Sequence, residues 1–379
     1  MDYSGLIQLG TILNGVSIPV VDENVNFWMM RAKGGFFYDE FIRDGFIALG
    51  WNYIDSNTSF SKSNIESIKE GIRNWYGDKV PMTAINKCMK FMYDFQEGDY
   101  VVIPNKGSTE VAICKIGVYF EQEGLDEGKE IVAIKKIENK ESEIGKVNCP
   151  YKKRRKIELI LRVSTKRIGH NLLRAIASYH GLNSLNDYAT DVLNCIYDCY
   201  IYKTDIIFPI NIARKEAIKA RDFSKLMFGV SEVFCEYIDE DAVSITLNLN
   251  SPGKIVVTLK SGAEKLKKGA FPLLILSVVL FGGGVEGLFT TPGVLNGAIN
   301  TIKEWRLMEN EIESVEVELE GKKLDNYMKA MQLIKESEES EIDVDKVIKN
   351  MEFVNRISED FQFEPNEKFA QESNDEVSE

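Results

Sequence analysis

The chain has two histidines in 379 residues, six cysteines without a single Cys-x-x-Cys pair, and nine prolines. So little histidine removes most metalloprotease and Ser-His-Asp chemistry. No His-Glu-x-x-His occurs, and His170 and His180 stand ten residues apart with no accompanying motif. The cysteines, at 88, 114, 149, 195, 199 and 235, read as buried thiols of a reducing compartment rather than a disulfide framework. Cys195 and Cys199 are four apart on an expected helix, but neither histidine has the spacing to complete a metal site with them. A Walker loop is missing too: GGGVEGLFT lacks the Lys-Ser/Thr pair that would hold phosphate and magnesium. Nuclease carboxylates are approximated only by Glu232 with Glu236 and by Glu264-Lys265, neither on a suitable strand pair. No residue set argues for an enzyme, so no catalytic residue, metal or cofactor is assigned.

Long hydrophobic runs are also lacking. Met1 to Gly15 shows no basic segment followed by an apolar stretch, as a signal peptide would. The most hydrophobic segment, residues 269–289, contains an apolar stretch of 11 residues, Phe271 to Phe281, with Ser277 within it. A membrane-spanning helix needs about 20, and extending this one brings in Glu286 and the Gly282-Gly283-Gly284 triplet. A buried core helix is expected there, with conditional membrane insertion as the alternative. The expected location is cytoplasmic.

What is present is an uneven charge. The net charge is −13, yet residues 1–167 hold 24 Lys and Arg against 23 Asp and Glu, and the remainder holds 22 against 36. A near-neutral front half can offer a local basic patch to a polyanion, whereas the acidic rear half would be repelled by one.

Hydrophobic periodicity predicts an α+β chain. A strand is expected over 46–51, a helix over Ile65 to Tyr76 capped by Ser63, and a second helix over Met82 to Phe95. A hairpin follows, with arms at 100–104 and 110–120 around an Asn-Lys-Gly turn. Residues 121–146 read as a polar hairpin with a loosely ordered loop. The run Lys152-Lys153-Arg154-Arg155-Lys156 then leads into the apolar strand IELILRV. That run fits either a phosphate-binding rim or a solvated strand entrance. A largely helical connector is expected from Ile168 to about Phe234, and a hairpin over Ala242 to Leu259 around Ser251-Pro252-Gly253. The organisation is thus a domain at 1–165, a helical connector at 166–234, an α/β domain at 235–335, and an acidic helix with a disordered tail at 336–379.

The most informative stretch runs from Trp28 to Tyr53, WMMRAKGGFFYDEFIRDGFIALGWNY. Eight aromatics are interleaved there with Arg31, Lys33 and the Gly34-Gly35 pair. The composition fits a surface for something flat and anionic, such as a base with its phosphate. It also fits the core of a small β-rich domain, and Phe41 and Phe46 are expected to be core under either reading.

These residues resemble the N-terminal domain of Mrr-type restriction-system proteins, a relative of the EVE branch of PUA-like folds. The resemblance rests on Trp28 with Arg31, Gly34-Gly35, the Phe36 to Phe41 aromatics, Gly50-Trp51, and Phe95-Gln96-Glu97-Gly98-Asp99-Tyr100-Val101-Val102. The strand ending Lys115-Ile116-Gly117-Val118-Tyr119 and the segment ILRVSTKRIGHNLLRAIAS extend it, so that it covers about residues 24–185. It implies a β pseudo-barrel that binds nucleic acid, DNA ahead of RNA, or a modified nucleotide, in a bacterial restriction or anti-phage system. Trp28, Phe37 and Trp51 would wall a base pocket, Arg31 and Lys33 would meet phosphate, and Asp55 would accept from an exocyclic amine. Lys152, Lys153, Arg154 and Arg155 are further candidates for phosphate contact. No Mrr-type nuclease domain follows, so cleavage would fall to another subunit, with this chain as its sensor or as a nuclease-subunit component. The rear half is left for self-association or a protein partner.

Overall fold

A computed structural model describes residues 18–139, 147–178, 181–214, 218–235, 240–248, 253–260, 349 and 361–364. The protein is a mixed α+β chain with two mixed sheets, and it divides into two compact units. One unit carries Asn24–Ile196, and the other carries the short strand β1 (Val20–Val21) together with the described residues from Tyr197 to Glu364.

In the first unit the elements follow in the order β2 (Phe27–Met30), α1 (Tyr38–Asp44), β3 (Phe46–Leu49), α2 (Ile65–Tyr76), α3 (Pro81–Met89), β4 (Tyr100–Pro104), β5 (Glu110–Glu121), α4 (Glu127–Glu138), β6 (Lys153–Ser164), α5 (His170–Ser178), β7 (Leu182–Ser184) and α6 (Ala189–Ile196). The sheet order is β3-β6-β5-β4-β2-β7, with β2 and β4 parallel and every other pair antiparallel. The long β5–β6 ribbon carries two register shifts, at Ile113/Cys114 and between Ile116 and Tyr119. Bulges bend a strand and raise its twist, and one of the protein's two sheets curls into a half-barrel.

The helices have local causes. α2 turns Ile68 and Ile72 inward, as its spacing predicts, and ends where Gly77, at φ 66°, returns its N–H to the Arg73 carbonyl. Its N-cap is Asn64 rather than Ser63, and no side chain caps it. α3 starts at Pro81, whose missing N–H costs nothing at a first helical position. It runs on as a π turn over Lys90–Asp94.

The polar stretch expected to be a hairpin contains helix α4. Asp126 caps it by accepting from Lys129 N at 2.7 Å, with Glu127 and Glu130 in the first turn and Lys135 and Lys136 in the last. Those charges complement the helix dipole. Gly128 and the weak apolar face hid the helix from a periodicity reading.

The expected connector is less helical than its sequence reads. β7 pairs with β2, which ties the chain to the first sheet up to Ile196, past the boundary placed at 165. α6 ends at Ile196, so Cys195 and Cys199 do not share a helix.

In the second unit β8 (Tyr200–Tyr202), β9 (Asp205–Ile212), α7 (Ala220–Cys235), β10 (Val243–Asn248), β11 (Gly253–Leu259) and β12 (Phe363–Glu364) follow in turn. The sheet order is β1-β8-β9-β11-β10, with β12 also pairing on β9. β11 buries every second residue, which is the period a strand requires when one face is covered. The 242–259 hairpin has its antiparallel pairing, Val243 opposite Leu259 through Asn248 opposite Lys254, although residues 249–252 of its turn lie outside the described residues. Residues 269–289 lie outside them as well. Among the described residues no helix is long and apolar enough to cross a membrane.

Candidate functional site

Most of the aromatic stretch is core. Trp28 is 5% exposed, stacks on Phe95 with ring centres 4.4 Å apart, and donates from Nε1 to Asp99 Oδ2 at 2.8 Å. Asp99 also accepts from Asn26 N at 3.0 Å and Gln96 N at 2.9 Å, so one buried carboxylate ties β2 to the turn before β4. Phe37 is 1% exposed and packs against Phe36, Phe41 and Tyr151. Phe41 and Phe46 are core as expected. Trp28 and Phe37 are therefore not walls of an open pocket, because the sheet and α1 cover them.

The glycine pair also has a packing cause. Lys33, Gly34 and Gly35 all have positive φ, at 48°, 64° and 87°. A Cβ on Gly35 would lie 2.6 Å from Lys106 N, so only glycine lets this turn approach the 105–106 backbone.

Trp51 is different. It stands at φ 60°, a left-handed conformation that costs a bulky residue on the order of 1–3 kcal/mol. Two buried charges hold it there. Glu130, 4% exposed, accepts from Trp51 N through Oε1 at 2.8 Å and from Asn52 N through Oε2 at 2.7 Å. Lys153, fully buried, donates from Nζ to the carbonyls of Trp51 and Ile54, both at 2.7 Å. The carboxylate thus fixes the amides of the loop and the ammonium its carbonyls. Burial raises Glu130 above the usual carboxylate range and lowers Lys153 below the usual lysine range. Asn52 completes the loop by donating to Asp126 O at 3.1 Å and Pro150 O at 2.8 Å while accepting from Lys152 N at 2.8 Å.

Beside this loop lies a cavity of about 540 Å³, within the ~300–1,000 Å³ of small-ligand sites. Trp51, Trp75, Tyr76 and Tyr151 supply its aromatic wall, and Met30, Leu49, Ile131 and Ile134 its aliphatic wall. Trp75 is 46% exposed. The indole N–H of Trp51 is held by Asp78 Oδ2 at 3.0 Å, and Lys87 Nζ sits 6.0 Å from the centre of that ring. The charged lining is Arg31, Lys33, Lys87 and Lys135 against Glu130 and Glu138. Lys33 pairs with Glu138. Arg31 donates to Ser108 Oγ at 2.7 Å, its Nε is buried without a partner, and burial lowers its pKa. Lys87 and Lys135 have no ion-pair partner among the described residues, so the cavity's cations exceed its carboxylates.

Of the sequence candidates, Arg31, Lys33 and Trp51 come together here. Asp55 does not, because its carboxylate is held by Lys152 Nζ at 2.7 Å and by its own turn at Asn57 N, 3.0 Å. The run 152–156 is neither of its expected alternatives. Strand alternation sends Lys153 and Arg155 inward and Arg154 and Lys156 to the other face. Arg155 donates to the carbonyls of Phe91 at 2.9 Å and Met92 at 3.0 Å, which the π turn leaves free. Arg154 lies 4.2 Å from the Phe46 ring centre and donates to Cys149 O at 3.0 Å. With Lys156 it lines a second cavity of about 520 Å³, where Glu40, Asp44 and Glu123 offset it. Lys152 is spent on Asp55 and Glu121.

Sequence reading missed Trp75, Tyr76, Lys87, Glu130, Lys135 and Tyr151. Adjacent aromatics at the end of α2 were a usable signal. Glu130 stood in a stretch of many carboxylates and carried none. Among the described residues no group of three or more His, Cys, Asp or Glu is placed to hold a metal. No family model, curated protein or solved structure matches this chain.

Proposed function

We propose that the 24–196 unit is a PUA/EVE-like recognition module that takes a base of nucleic acid, DNA ahead of RNA, or a modified nucleotide into the Trp51 cavity. The chain then serves as a non-catalytic sensor in a bacterial restriction or anti-phage system, and its second unit meets a partner or another copy. The observation that carries this reading is Trp51, held in a left-handed conformation at an aromatic cavity by two buried charges. A strained aromatic that its surroundings over-determine is the pattern of a preorganised binding group. Stacking would offset the few kcal/mol needed to unstack a base, while Arg31, Lys87 and Lys135 would take its phosphates in place of the 152–155 cations.

Titration of the full chain with single-stranded and duplex oligonucleotides, plain and base-modified, tests this. Trp51→Ala and Trp75→Ala should each weaken binding roughly 5- to 150-fold. Circular dichroism should be unchanged, and the half-exposed Trp75 makes its variant the safer for folding. Full affinity in both variants would remove the cavity as the site.

A further inference from the structure

The cations and the aromatic walls of the cavity explain why a flat anion would enter, but not which one. Among the polar groups that line it, Glu130 is the buried carboxylate, and its hydrogen bonds can be counted. Oε1 accepts from Trp51 N at 2.8 Å. Oε2 accepts from Asn52 N at 2.7 Å and from the Tyr76 hydroxyl at 2.8 Å. A carboxylate offers about four acceptor positions, which leaves one, on Oε1. That oxygen lies 2.6 Å from where a Cβ would stand on Gly50, and Tyr151 Cε1 lies 3.0 Å from the same point, so glycine at 50 is what lets the carboxylate and the Tyr151 ring pack onto this backbone at the cavity lining. The other carboxylate of the lining, Glu138, is already paired with Lys33.

We infer that Glu130 is the specificity-determining residue of the cavity, and that its open acceptor on Oε1 selects bases carrying an exocyclic amino group over those carrying a carbonyl there. The inference rests on the nucleotide reading above. An amino group donates N–H to the carboxylate in a charge-assisted bond, the pairing by which acidic side chains read cytosine N4. A carbonyl in the same place sets two acceptors against each other and leaves both without a donor. The polarity of the site agrees, with donors at Arg31, Lys87 and Lys135 for phosphate and an acceptor at Glu130 for the base edge. Glu130 touches the ligand in this scheme and also positions Trp51, so affinity alone cannot separate the two roles; a ratio of affinities can.

The test is titration of the full chain with four ligands: the monophosphates of cytidine, uridine, adenosine and inosine. Cytidine over uridine and adenosine over inosine should each be favoured roughly 10- to 100-fold, and Glu130→Gln should collapse both ratios toward one. Lys87→Ala should lower all four affinities and leave the ratios unchanged. Equal affinities within each pair, with binding still weakened by Trp51→Ala, would overturn the role of Glu130 and leave the nucleotide reading standing. No binding of any nucleotide or oligonucleotide would overturn both. Should Glu130→Gln fail to fold, the wild-type ratios decide the question alone.

Discussion

Two sets of cations occupy the first unit, and they behave in opposite ways. Residues 152–156 are contiguous in sequence and scattered in function: two point inward to carbonyls, one pairs with carboxylates, and two share a cavity with acids. Arg31, Lys33, Lys87 and Lys135 are scattered in sequence and gathered at one cavity. A strand sends neighbours to opposite faces, so a run of charge along it cannot form one patch. A patch is instead assembled from separate elements. Five adjacent cations are tolerated because backbone carbonyls and carboxylates absorb most of them and Lys156 is exposed to solvent.

The comparison breaks most visibly at Lys153. Lys153→Met removes two charge-assisted hydrogen bonds to buried carbonyls and should destabilise the protein by about 3 kcal/mol, read by urea unfolding. An unchanged midpoint, with a reduced salt slope of binding instead, would return Lys153 to the phosphate set. Arg155→Met should cost about 2 kcal/mol through the carbonyls of Phe91 and Met92. The cavity set predicts the reverse. Lys87→Ala and Lys135→Ala should stay within about 0.5 kcal/mol of wild-type stability, and each should lower the salt slope of nucleic-acid binding by about 1. Lys152→Ala should cost only about 0.5 kcal/mol, since its ion pairs are partly solvated.

The finest test uses pH. Burial lowers the Lys153 pKa in the folded state, so the unfolded chain holds that proton at pH values where the folded one has lost it. Stability from this group is therefore regained as pH rises toward the ordinary lysine range. The gap between wild type and Lys153→Met should widen in that direction, and a gap that narrows would contradict the burial.

The legible parts of the fold were those with a strong period. Ile65 to Tyr76 has a helical stripe, and the hairpin arms at 100–104 and 110–121 have apolar cores on both sides. α4 was not legible, because its face is mostly polar and its stability comes from a cap and end charges. β7 was missed because a three-residue strand depends on a partner far along the chain, whereas β8 and β9 form a local hairpin inside the stretch expected to be a helical connector. Within the site, Trp51 and Arg31 were visible as unusual residues in an unusual stretch. Trp28 and Phe37 looked the same in sequence but are covered by their own unit.

Composition and order alone were enough to establish an α+β chain with a near-neutral front, an acidic rear and aromatics concentrated between 28 and 53. Which aromatics are buried and which line a cavity was decided by the tertiary structure. Burial depends on what packs over a side chain, and that cover comes from residues distant in sequence. Trp28 lies under Phe95 and binds Asp99, whereas Trp51 is raised at a cavity by Glu130 from one helix and Lys153 from one strand.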